Sequence, residues 1–148
     1  MRRLYPKRPI VGVGAVIVGN DRILLEKRRS DPGKGLWSIP GGIVELGEST
    51  EETVIREVEE ETCLQVVQPR LIDVVSNIIL DEKGRAKYHF VIVNYLVKLR
   101  GGRLEASDDA EDLRWVPLDE VEEYDLTNSF REFFTHNRKM LKHVNSCL

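Results

Sequence analysis

The sequence predicts an α/β fold in which a mixed β-sheet is sandwiched between helices, and three observations lead there. Apolar, β-branched runs recur in hairpin-like pairs, the hydrophobic period switches abruptly at Ser49, and a second helical pattern closes the chain. The 148 residues suit one domain spanning 1–148, long enough to bury a core without disulfides or a structural metal.

Taken in order, residues 10–18, "IVGVGAVIV", read as a buried strand whose glycines at 12 and 14 admit close backbone approach. "GND" forms a turn, "RILLEKR" at 22–28 pairs back as a hairpin, and "SDPGKG" breaks the chain before "LWSIP". Ser49 followed by Glu52 is a capping-box signature, and Val54, Ile55 and Val58 recur at helical spacing, so a helix is expected at about 50–62. Residues 71–80 and 88–97 read as a longer hairpin around "DEKGRAK". Both alternating sets of 88–97 are largely apolar, which makes it a central strand covered on two faces. "DLRWVPL" at 112–118 reads as a short strand. Phe130, Phe133, Phe134, Leu141 and Val144 mark a last helix, with Ser129 and Glu132 as its capping box.

Composition narrows the function. With 41% hydrophobic and 32% charged residues and a net charge of −3, the chain reads as a globular protein; no basic track suits a nucleic-acid polymer. The apolar run of nine residues near the amino terminus is far short of the ~20 a membrane span needs. Cys63 and Cys147 form no zinc pattern. The expectation is a reduced, cytoplasmic setting with no membrane partner.

The acidic helix carries the chemistry. Six glutamates and one arginine lie between Glu51 and Glu61. Glu57, Glu60 and Glu61 project from one side, centred roughly 110° from the Val54, Ile55 and Val58 face. Like charges at Glu57 and Glu61 cost a few tenths of a kcal/mol even when exposed. Either the face is simply solvated, or a hard divalent cation such as Mg²⁺ offsets the repulsion with substrate phosphates as co-ligands.

The spacing favours the cation. Gly42, Glu48, Arg56, Glu57, Val58, Glu60, Glu61 and Leu64 fall at the positions of the pattern G-x5-E-x7-R-E-U-x-E-E-x-G-U, with U apolar. The segment 42–64 therefore resembles the Nudix box, departing only at its last glycine, which is Cys63. A Cβ at that helix exit costs roughly 1–2 kcal/mol in the left-handed conformation, so Cys63 is either strained there or the helix ends by another geometry.

The resemblance implies a Nudix-type α/β/α sandwich. It also implies a hydrolase that splits a nucleoside diphosphate linked to another moiety, using Mg²⁺ or Mn²⁺. By the same resemblance Glu57, Glu60 and Glu61 are the metal carboxylates, joined by the Gly41 carbonyl, and one of them, with Glu60 first, orients or deprotonates the water. Glu48 and Arg56 hold loop and helix in register, while Gly42 lets the loop bend around phosphate. A later carboxylate serves as general base in some similar proteins; Asp109 and Glu111 are the candidates within "SDDAEDLRW". Arg28 and Arg29 are either phosphate contacts or surface charge. Asn94 either reads a nucleobase edge or is a satisfied structural amide.

Position 79 is Ile79, so neither the proline of ADP-ribose hydrolases nor a neighbouring tyrosine of dinucleotide hydrolases is present. A nucleotide small-molecule substrate is expected, first a (deoxy)nucleoside triphosphate, then ADP-ribose or a nucleotide sugar. A non-catalytic nucleotide sensor is the alternative of another class, and a homodimer is compatible with all three.

Overall fold

The computed structural model describes residues 2–104 and 110–145, without the side chains of residues 110, 111 and 145. Seven strands are β1 (Ile10–Gly19), β2 (Arg22–Arg28), β3 (Trp37–Ser38), β4 (Gly41–Ile43), β5 (Leu64–Leu80), β6 (Ala86–Gly102) and β7 (Ala110–Pro117). Helix α1 spans Thr50–Thr62 and α2 spans Asn128–Asn145, with a 3-10 turn at Leu118–Glu123 before α2.

The sheet is mixed because β1 divides its length among several neighbours. Ile10–Ile17 run parallel to Phe90–Val97 of β6 on one side. On the other side Gly12–Gly14 pair antiparallel with Gly41–Ile43, and only Val18 and Gly19 pair with β2. The main partner of β2 is instead β7, in antiparallel register from Arg22↔Pro117 to Glu26↔Leu113. The hairpin expected from residues 10–28 is thus a brief contact at the turn. β6 is interior, between β1 and β5, and both strands of that hairpin run well past the apolar stretches.

Alternation along β1 builds two cores. Val16 and Val18 face α2, where Phe130, Phe133, Phe134 and Leu141 pack with Trp37 and Val116. Val13, Ala15 and Ile17 face α1 and meet Val54 and Val58, both fully buried one helical turn apart. Each such valine stabilises by about 1.5 kcal/mol through area removed from water. The sheet is therefore covered by one helix on each face, as the two unequal helical patterns imply.

Helix ends follow local chemistry. Ser49 caps α1, its hydroxyl oxygen accepting the Glu52 N–H at 3.1 Å. Cys63 ends the helix at φ 64°, in the left-handed conformation, with its N–H bonded to the Glu59 carbonyl. The exit keeps the geometry that glycine favours and carries the Cβ cost. At α2 the cap is Thr127, whose hydroxyl accepts from the Phe130 N–H at 3.2 Å, two residues ahead of the expected Ser129.

Candidate active site

β4 and the turn after it set the carboxylates against the sheet. A Cβ on Gly41 would run into the Val13 carbonyl, and one on Gly42 would occupy the place of the Glu57 carboxylate. Glycine at both positions lets β4 lie flush on β1 and brings Glu57 down onto bare backbone.

Arg56 is the hub of the ion pairs on this side of α1. Its Nε donates to Glu48 Oε2 at 2.6 Å and its Nη2 to Glu48 Oε1 at 2.9 Å, a two-point fork. Nη1 donates to Glu57 Oε1 at 2.9 Å and to Glu60 Oε2 at 3.0 Å. Glu48 is held from its own side by the hydroxyl of fully buried Thr53 at 2.7 Å. Hydrogen bonds from Arg56 and then Thr53 pull the Glu48 carboxyl down to about 2 against a smaller effect of burial. Arg56 is pushed up, chiefly by Glu48. The structure thus joins Glu48, Arg56, Glu57 and Glu60 in one ion network tying loop to helix.

Glu61 belongs to a different setting. It is only 7% exposed, and its Oε2 is buried with no hydrogen-bond partner among the described residues. The carboxyl faces Glu26 of β2, itself 6% exposed, while the nearby Gly41 N–H favours its charged form. Burial first, then the charge and hydrogen bond of Glu26, push the Glu61 carboxyl far above the ordinary range. Glu26 is the residue that sequence reasoning missed. Its signal is positional: Leu24, two residues earlier on β2, is fully buried in the α1-side core, and alternation puts Glu26 on the same face.

These side chains border a cleft of about 1320 Å³ that runs from the Arg28–Gly33 loop across Gly12 and Gly14 to His136 of α2. Arg28 is half-buried at its lip with Nε bonded to the Pro32 carbonyl at 2.7 Å, and Arg29 is exposed beside it. On the floor Asn94 is buried, its Nδ2 donating to Asp73 Oδ1 at 2.9 Å while its oxygen lies over Gly14. Asp109 lies outside the described residues, as does the side chain of Glu111, whose backbone belongs to β7.

Among the described residues no three His, Cys, Asp or Glu side chains are already gathered as a cation cage. Arg56 draws Glu57 and Glu60 to itself, and Glu61 turns to Glu26. The donor set nevertheless fits a hard divalent ion. It consists of oxygens only, and the orphaned Glu61 Oε2 is a buried acceptor that such an ion would satisfy.

A carboxylate-rich helix seated on a glycine-tight turn, beside a cleft with basic residues at its lip, suits a hydrolase of phosphorus anhydride bonds, and the comparisons give that class. The NUDIX domain model matches residues 8–136, and the chain belongs to the Nudix family. It is 38% identical to the ADP-ribose pyrophosphatase of Methanocaldococcus jannaschii, over 92% of this chain and 73% of that protein. The crystal structure of a MutT NUDIX hydrolase from Burkholderia pseudomallei superposes with a TM-score of 0.74 at 37% identity, covering 84% of this chain and 95% of that one. The NUDIX domain of Shewanella oneidensis NrtR, solved with ADP ribose, gives 0.75 at 26% identity, covering 92% and 90%. Hydrolases of this family generally need a divalent cation. No described helix is long and apolar enough to cross a membrane.

Proposed function

We propose that the chain hydrolyses ADP-ribose or a closely similar nucleoside diphosphate sugar, with Mg²⁺ as its ordinary cation and Mn²⁺ as a substitute. The observation that carries this reading is the cleft. At about 1320 Å³ it exceeds the ~300–1,000 Å³ usual for a small-molecule site, and its lining includes the α1 carboxylates, Asn94 and residues of α2, which suits a substrate with two arms. The 38% identical M. jannaschii relative supports the same choice. This reverses the order in which the sequence alone ranks triphosphates and ADP-ribose.

Glu57, Glu60 and Glu61, with the Gly41 carbonyl, would hold the cation, which when bound would neutralise phosphate oxygens and acidify water. Glu48 and Arg56 fix the turn of Gly42 to Glu48 against α1, so that the carboxylates do not have to be ordered during turnover. Arg28 and Arg29 meet the phosphates at the cleft lip. Asn94, braced by Asp73, presents a fixed amide beneath one arm of the substrate. A carboxylate accepts the proton of the attacking water as the new P–O bond forms, and the bridging oxygen leaves with one phosphate, giving AMP and ribose 5-phosphate. Glu60, whose side chain is 58% exposed, is our first choice for this role in place of a cation bond, with Asp109 and Glu111 as the other candidates.

A second reading, cleavage of a nucleoside triphosphate to the monophosphate and pyrophosphate, is favoured by a putative 8-oxo-dGTP diphosphatase of Bacillus subtilis, 53% identical over 49 residues, 32% of this chain and 31% of that protein. Product chromatography on ADP-ribose, nucleotide sugars and nucleoside triphosphates, with Mg²⁺ and with EDTA, decides between them. AMP from ADP-ribose at a kcat/KM at least about tenfold above any triphosphate is expected, and loss of it in the folded Glu60→Gln/Glu61→Gln variant. Preference for a triphosphate would transfer the assignment to the second reading. Nucleotide binding without turnover would leave a sensor.

A further inference from the structure

Glu26 is a buried acid that the proposed mechanism leaves without a role. On β2 it pairs across with Ser38 of β3 and Leu113 of β7, so its backbone is fixed from both sides. Its side chain points to the α1 face, two residues beyond fully buried Leu24, where another apolar residue would extend the core. Instead the strand puts a carboxyl there, 6% exposed, against the carboxyl of Glu61 and on the wall of the same cleft as Glu57 and Glu60.

Two buried carboxyls in contact are costly unless they share a proton or a cation. Arg56 does not reach Glu61: its bonds go to Glu48, Glu57, Glu60 and the Ile43 carbonyl. Glu61 also keeps one buried oxygen without a partner among the described residues, although its residue is more than nine-tenths buried. A polar atom left so inside a well-packed protein points to a missing ligand. Hard divalent cations take six or more oxygens, and carboxylates facing one another across a dry wall are the groups that hold them.

We propose that Glu26 is a fourth carboxylate of the cation site, bearing on the same ion as Glu61. The inference rests on reading the helix carboxylates as that site. It makes β2, and not only the turn and helix of residues 42–64, part of the metal-binding apparatus.

The test measures cation binding without substrate. Mn²⁺ is titrated into the full chain by electron paramagnetic resonance, and thermal unfolding is followed with Mg²⁺ and with EDTA, for the wild type, Glu26→Gln, Glu26→Asp and Glu61→Gln. Glu26→Gln is expected to weaken Mn²⁺ binding about tenfold or more and to shrink the Mg²⁺-induced rise in Tm, while its Tm in EDTA stays level or rises because the carboxyl contact is gone. Glu26→Asp retains the charge but withdraws it by one methylene; it is expected to show a smaller loss of affinity and keeps the measurement available should the Gln variant not fold. Binding within twofold of wild type in both Glu26 variants, with Glu61→Gln defective, would overturn the proposal and leave the helix as the cation site. A wild type that neither binds Mn²⁺ nor is stabilised by Mg²⁺ would overturn both.

Discussion

Arg56 and Glu61 stand five residues apart on one helix, yet the acids around them live under opposite electrostatics. Around Arg56 every carboxylate has a donor: Glu48 is forked, Glu57 and Glu60 share one guanidinium nitrogen, and Thr53 closes the far side. Around Glu61 the dominant neighbour is another acid, and one oxygen has no hydrogen-bond partner among the described residues. The first group has its donors from folding alone, and on the proposed reading Glu57 and Glu60 turn from Arg56 to the cation when it binds. The second keeps a buried oxygen still to be satisfied, which is what a binding site offers if an added group is to gain free energy there. The difference teaches that charge density on a helix does not identify a site by itself; the state of each carboxylate's partners does.

The sharpest way to break this contrast is to remove the hub. Arg56→Ala strands Glu48, Glu57 and Glu60 beside one another and is expected to cost about 2–3 kcal/mol in urea unfolding, discounted for the 25% exposure of the arginine side chain. Arg56→Lys should recover less than half of it, because an ammonium cannot reproduce the fork. Next in size, Glu61→Gln in EDTA at pH 7 should stabilise the protein by about 2 kcal/mol, since glutamine need not be kept neutral in a buried place. With Mg²⁺ the order should invert. A variant less stable than wild type in EDTA would show that Glu61 is already satisfied.

The two groups also have opposite pH signatures in EDTA. The folded Glu48 carboxyl titrates at about 2, below its unfolded value, so its stabilisation is complete above roughly pH 4.5 and is lost as the pH falls toward 2. Glu61 is shifted upward, so its contribution is most favourable below the unfolded carboxyl value and is lost as the pH rises. Tm profiles should therefore show an acid limb that Glu48→Gln weakens and a decline running from about pH 4.5 toward about pH 10 that Glu61→Gln flattens.

Smaller effects sharpen the boundary between the groups. Thr53→Val keeps the buried shape but removes the hydroxyl from Glu48, at an expected cost of about 1 kcal/mol and with cation affinity unchanged. Cys63→Gly relieves the left-handed helix exit and should gain about 0.5 kcal/mol net of glycine's extra chain entropy, altering neither pH limb.

Much of this arrangement is legible in the sequence where short-range rules act. The switch of period at Ser49, the cap on Glu52 and the end at Thr62 all depend on neighbours within one turn, and α1 occupies the expected residues. Glu26 escaped because "RILLEKR" looks like an amphipathic edge with its polar end in water. Only the pairing of β2 with β7, about ninety residues later, places that end beneath α1. Asn94 was recognisable as an amide in need of a partner, but Asp73 lies 21 residues away across a pairing whose register shifts between Leu71 and Asp73. The start of α2 was missed by two residues because Ser129 and Thr127 offer equivalent hydroxyls, and the backbone chose the earlier one.

The parallel seam between β1 and β6 joins two stretches of chain with separate duties. Glu26, Gly41, Glu48, Arg56 and the helix carboxylates all precede Leu64, whereas Asp73, Val75, Asn94 and the α2 wall of the cleft come after it. On the reading in which Glu60 is the base, the groups acting on the phosphates, Arg28 and Arg29 included, come from the earlier part and much of the remaining cleft wall from the later one. Substitutions that retune which nucleotide is accepted can accumulate in the later part while the bond-breaking machinery stays untouched, and exchanging that part between relatives should transplant preference without rebuilding the chemistry.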